Sequence, residues 1–227
     1  TSSITDTASL ITLSGNNASL SLDNNERIGD LTINATGITI TDNGAAADVD
    51  VFTVTASGAA TISSGTIASS GTTGVAGTLA AAAGANYTSG AALAVSGAGS
   101  ISMGTGTLTV SAGGMNLSGS GSVNSAGTAA NAIAITGNLA WSGGSATATI
   151  AITGTGTLSV SGNFNQTATD SGAVTVASGG IAIAGQLTNY ALHQITAGNL
   201  TVSGAGANTN SGTIHTLTSD NQTYTDT

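Results

Sequence analysis

The phrases LAVSG (residues 93–97), MNLSG (115–119), LAWSG (139–143), LSVSG (158–162), IAIAG (181–185) and LTVSG (200–204) decide how this chain is read. Each runs large apolar, variable, large apolar, small, Gly, and successive starts lie 22, 24, 19, 23 and 19 residues apart. A step that wanders by a few residues around about 21 marks a solenoid, in which every turn repeats one cross-section and loops absorb the difference.

Working outward, most phrases follow a second strand across a tight corner, as in IAITGNLAWSG, IAITGTGTLSVSG and VTVASGGIAIAG. Period-two alternation sets Ile133, Ile135, Leu139 and Trp141 on one side of the backbone and small polar neighbours on the other. Gly at the corner permits the positive φ that a sharp turn needs. The pattern predicts an all-β, single-chain parallel β-helix of about ten turns, each of 19–24 residues. One column would hold Leu93, Met115, Leu139, Leu158, Ile181 and Leu200, with rungs about 4.8 Å apart. Residues 1–227 read as one domain, with regular turns at 93–204, looser turns at 1–92 and a stacking turn at 205–227.

Composition narrows the function classes. The 227 residues include 34 Gly, no Pro and no Cys, and 5% are charged. With 40% hydrophobic residues in strict alternation, the pattern points to burial rather than disorder. Arg27 stands against ten acidic residues in a net charge of −9, which excludes the electrostatic footprint of a nucleic-acid binder or an anionic-membrane surface. No apolar run approaches the roughly 20 residues of a spanning helix, and none has the layout of a signal peptide. The chain begins with Thr, so the expectation is a processed chain or a segment of a longer one. Without Cys, the redox compartment stays open.

Along the chain, residues 22–30 (LDNNERIGD) read as a solvated loop around Arg27. Asp42, Asp48 and Asp50 form a weak candidate Ca²⁺ site: three carboxylates within nine residues offer oxygen ligands, but in neither EF-hand nor β-roll spacing. The thin stretch 59–92, with Ala80 to Ala83, predicts narrow turns or a lateral loop. Trp141 demands a local widening or an exposed ring, and Phe164 and Asp170 read as part of a longer excursion. His193 and His215 are 22 residues apart, about one turn, and would stack as a two-ligand metal pair lacking a third donor. Asn-x-Ser/Thr triplets occur at about the frequency that composition gives by chance, with Asn116 and Asn199 pointing outward. At the two ends no Pro, charged helix or amphipathic cap closes the coil, which predicts that something stacks there.

Support for catalysis is thin. No Gly-x-Ser-x-Gly elbow sits between strand and helix, and the Gly-x-Gly matches belong to corners with no helix to hold a phosphate. The reading assigns no catalytic, cofactor-binding or metal residues, no cofactor and no enzymatic activity.

The phrases GTLTVSAGG (106–114), GTLSVSGN (156–163) and GNLTVSGAG (198–206), with the tail DNQTYTDT (220–227), resemble the repeat region of filamentous-haemagglutinin-type and autotransporter adhesins of bacterial surfaces. The resemblance covers most of 93–227 and, more loosely, 4–58. It implies a right-handed parallel β-helix, secreted or on the cell surface, acting as a stalk or adhesive fibre. The expected function is therefore an extracellular structural protein, its partners identical subunits head to tail or further repeats of the same chain, and surface glycans. Two rivals remain: a β-sandwich pilin polymerised by donor-strand exchange, and a polysaccharide-binding or -cleaving β-helix. The second would need clustered carboxylates with basic partners.

Overall fold

The computed structural model describes residues 5–6, 9–22, 27–43, 47–142, 147–166, 171–189, 194–216 and 225–226. Among them every strand pairing is parallel, in one sheet of nineteen strands and one of ten. The pairing direction rules out the hairpins of a sandwich, and the chain is a parallel β-solenoid.

A single turn shows the logic. Strands Asn86–Ser89, Leu93–Val95 and Ser100–Ser102 form its first, second and third faces. Their alternation buries Tyr87, Leu93, Val95 and Ile101 while leaving Ala94 and Ser102 exposed. The next turn repeats the plan one rung on, with Leu108 over Tyr87, Met115 over Leu93 and Val123 over Ile101. Stacking buries both edges of every interior strand in hydrogen bonds and closes a narrow aliphatic core, each large side chain contributing roughly 1.5–3 kcal/mol relative to exposure.

In three successive later turns the corners between first and second faces are built from Gly followed by an amide: Gly137–Asn138, Gly162–Asn163 and Gly185–Gln186. Asn138 Oδ1 accepts the Asn163 backbone N–H at 2.8 Å, and Asn163 Oδ1 accepts that of Gln186 at 2.8 Å. Beside them Gly162 packs against the Gly137 carbonyl so closely that a Cβ there would overlap it. These corners account for the Gly of LSVSG and IAIAG: there an amide ladder satisfies the turn's backbone donors only if the neighbouring residue has no side chain.

The single column expected for the six phrases does not exist. Leu93, Met115 and Leu139 stack on the second face, and their column continues through Phe164. Leu158, Ile181 and Leu200 stack on the first face, over Ile133. First and second strands both read large, variable, large, small, and only a short corner separates them, so one phrase serves two faces. The 19-residue step from Leu139 to Leu158 is a move to the next turn's first face. Along the second face the true steps from Leu93 to Leu187 are 22, 24, 25 and 23 residues.

The regular three-strand turn is completed about eight times, against the ten expected. Beyond it, third and first strands fuse across their corner into the continuous strands Ala173–Ile183 and Gln194–Val202.

Three further expectations are revised. Phe164, read as part of an excursion, is fully buried in strand Phe164–Asn165; only residues 167–170, Asp170 included, lie outside the described residues. Arg27, read within a loop, opens strand Arg27–Ile28 with Ile28 buried beside it. Within 59–92, Ala80 and Ala81 belong to strand Thr78–Ala81 of an ordinary turn. Its thin volume is made up by Phe52 and Tyr87, whose rings meet at 5.5 Å.

Trp141 is buried, so the widening, not the exposed ring, is realised. Its indole Nε1–H donates to the Ala148 carbonyl at 3.2 Å and its ring lies 5.2 Å from Phe164.

Candidate functional site

The acidic trio does not assemble into a cation site among the described residues, where no group of three His, Cys, Asp or Glu side chains converges. Asp42 is buried at the end of strand Ile38–Asp42, and its Oδ2 accepts the Thr66 backbone N–H at 3.0 Å. Asp50 accepts from Arg27 Nη2 and from Ser70 Oγ, each at 2.9 Å. Hydrogen bonds from Arg27, then from Ser70, hold the Asp50 carboxyl below the usual carboxylate range. The Asp48 backbone pairs with Arg27 in the first face; its side chain lies outside the described residues. Two of the three carboxylates are thus committed to the protein's own donors.

The proposed histidine stack is not in register. His215 pairs with Thr196, three positions beyond His193, which lies outside the described residues. Asn116 and Asn199 do point outward, and Asn116 Oδ1 accepts from Ser142 Oγ at 2.9 Å.

Sequence reasoning missed two polar groups inside the coil. Tyr87 directs its hydroxyl at Thr73 Oγ1, 2.6 Å away, and Thr73 also meets Ser69 and Ser89 at 2.9 Å each. All four hydroxyl groups sit in the core and satisfy one another. The signal was the NYTS strand itself, in which Tyr87 occupies an inward position of the alternation. Further along, the residues after Asn165 and Thr188 are Gln166 and Asn189, both buried, where earlier turns carry Leu117 and Trp141. Asn189 Nδ2 donates to Asn210 Oδ1 at 2.8 Å, while both polar atoms of the Gln166 amide have no partner among the described residues.

An unpartnered buried amide costs about 1–3 kcal/mol. Gln166→Met keeps the length and removes that cost, so it is expected to raise stability by about 1–2 kcal/mol. Chemical denaturation followed by Trp141 fluorescence reads the change, and a lower midpoint would show that the amide is satisfied in solution.

The two outermost second-face strands frame the ten-stranded sheet. Strand Ile11–Leu13 is paired with Leu31–Ile33, and Thr209–Asn210 with Leu187–Asn189. Their chemistry differs. The first edge is apolar, with Leu10 67% exposed and Ile11, Leu13 and Leu20 only partly covered. At the second edge are amides, where Asn208 Oδ1 accepts the Leu187 N–H at 2.8 Å and Asn210 caps Asn189.

What this arrangement offers chemically is backbone: two ladder edges that no further described strand covers, with a largely uncharged Ser, Thr and Asn surface between them. Compared with known proteins, the chain matches no family model, no curated protein and no solved structure.

Proposed function

We propose that this chain is a structural segment of an extracellular β-solenoid fibre, lengthened by strands that stack on its two ladder edges, with no catalytic role. The stacking strands come from identical subunits or from further repeats of one chain. Support comes chiefly from the ten-stranded parallel ladder whose end strands can each pair once more. The placement at a cell surface, as a stalk or adhesin, rests on the resemblance of the repeat phrases and on the sparse charge, which lets neighbouring fibres pack without strong repulsion.

In a head-to-tail joint, backbone hydrogen bonds would continue while Ile11 and Leu13 met Asn208 and Asn210. Such a joint is weaker than an interior rung, so assembly should depend on concentration. Electron micrographs of concentrated protein are expected to show thin unbranched rods with an axial repeat of about 50 Å, ten rungs at the inter-strand spacing. Leu13→Asp, which sets a carboxylate into the joint, should raise the concentration needed at least about tenfold, and Asn210→Leu should lower it by a similar factor. Particles that stay about 50 Å long at every concentration, in the parent chain and in the Asn210→Leu variant, would reject stacking of identical copies.

A further inference from the structure

The three faces do not end level. The ten strands of the smaller sheet make the second face, from Ile11–Leu13 to Thr209–Asn210. Two of the nineteen strands of the larger sheet, Ala173–Ile183 and Gln194–Val202, each serve the third face and then the first. The described strands therefore make ten third-face rungs, from Ser19–Leu22 to Thr213–Thr216, and eleven first-face rungs. The surplus rung is Thr225–Asp226, which pairs with Thr201 and Val202 past the last full turn.

This surplus strand repeats the one that opens the coil. Thr225 aligns with Thr201 and Asp226 with Val202, as Thr5 aligns with Arg27 and Asp6 with Ile28. Val202 and Ile28 are both buried, so the two Thr-Asp pairs hold the same two positions of a first-face rung. Each is followed by Thr, and the triplet Thr-Asp-Thr, at 5–7 and 225–227, occurs nowhere else in the chain.

A second copy joined head to tail brings its strands in the order first, second, third face. Setting its Ile11–Leu13 on the Thr209–Asn210 edge sends its Thr5–Asp6 to the Thr201–Val202 edge, which Thr225–Asp226 already holds. If the incoming Thr5–Asp6 stacked on Thr225–Asp226 instead, the second and third faces of the two copies would stand two rungs apart, about 9.6 Å, and lose their ladders. One of the two equivalent strands has to leave. The tail is the more weakly held, because eight residues, 217–224, lead to it from Thr216, whereas every other crossing from third to first face has at most seven. Closing a longer loop costs more entropy. Only four residues, 7–10, tie Thr5–Asp6 to Ile11–Leu13, so docking of the second face delivers it in register. We propose that Thr225–Asp226 is a placeholder that covers the Thr201–Val202 edge of the free chain and is displaced by the Thr5–Asp6 strand of a second copy. The inference rests on the end-to-end stacking of copies proposed above.

The chain has no cysteine, so paired cysteine variants of the full chain read the register directly. Neighbours one rung apart, about 4.8 Å, lie within the Cα separation that a disulfide spans. In the variant Thr5→Cys, Thr201→Cys the two thiols are nine rungs apart in one chain, about 43 Å, and pair only between copies. Oxidation of concentrated protein should give a ladder of covalent oligomers that dithiothreitol collapses. Thr5→Cys, Ala94→Cys, whose second site is exposed in mid-coil, should give none. Thr201→Cys, Thr225→Cys fastens the tail to its own edge, and its oxidised form should need at least about tenfold more protein to form rods than its reduced form. Thr225→Pro, which removes a ladder donor from the tail alone, should lower that concentration and tests the same point without cysteine. Circular dichroism under reducing conditions establishes that each variant is folded. Rods that form equally well with the tail fastened, free or carrying Pro would overturn displacement while leaving stacking of copies intact. So would a ladder from Thr5→Cys, Thr225→Cys in place of the expected one, or an equal ladder from the mid-coil pair. Absence of rods from the parent chain and from every variant would reject stacking itself, and this inference with it.

Discussion

Replacing Trp141 with Ala is expected to lower stability by about 3–5 kcal/mol, the cost of emptying a buried indole site that its neighbours cannot refill. Three contacts set that magnitude. The ring lies 5.2 Å from Phe164, the indole N–H is satisfied by the Ala148 carbonyl, and Gly172 leaves room for it. A Cβ at Gly172 would overlap both the indole Nε1 and the Ala148 carbonyl oxygen, so the Gly makes room for the Trp and for the backbone that the indole N–H bonds across adjoining turns. The matching predicts a specific coupling. Gly172→Ala should destabilise the parent chain by about 1–3 kcal/mol through overpacking. It should cost less in a Trp141→Leu background, where the indole overlap is gone and only that with the Ala148 carbonyl remains; the equivalent position one turn earlier is already Leu117. A double-mutant cycle by urea denaturation, followed by circular dichroism, measures the difference. Strict additivity of the two changes would refute the account of how the coil widens here.

Trp141 also shows what the sequence could and could not disclose. That its position faces inward was legible, because alternation of period two survives even where the side chain is the wrong size for its column. How the turn makes room was not, since the accommodation lies in Gly172, a residue of the following turn, and a linear pattern does not say which residues become neighbours. The same limit explains the merged column. LAWSG and LSVSG look alike because both strands of a turn obey one local rule, large residue in, small residue out, Gly at the bend; their assignment to different faces depends on register alone. Phe164 was misread because its strand is two residues long and set among polar neighbours, so its burial comes from Leu139 and Leu187 on either side. For the acids, proximity in sequence suggested a shared ligand, whereas the fold turns Asp42 to the Thr66 backbone and Asp50 to Arg27 and Ser70.

Above pH 10 the protein should lose about 2 kcal/mol of stability by pH 12 through one group, Tyr87. Burial pushes this phenol up to about 12, against weaker lowering by its hydrogen bonds with Ser69 and Thr73. Because the folded value lies above the unfolded value near 10, the folded state holds its proton over a window in which the unfolded chain gives it up. The stabilisation is therefore complete below pH 10 and declines as pH rises through that window, by about 1.4 kcal/mol per unit. The composition makes the measurement clean: the only basic side chain is Arg27, so no lysine titrates in the same range. Tyr87→Phe is expected to cost only about 1 kcal/mol at neutral pH, since Thr73 keeps Ser69 and Ser89 as partners. The variant should show a flatter dependence from pH 10 to 12, so that the two stability curves cross. Guanidinium midpoints taken at half-unit intervals, with Trp141 fluorescence as the signal, resolve the crossing. An equal alkaline slope in both proteins would assign the loss to other tyrosines and show that the hydroxyl cluster around Thr73 is open to water.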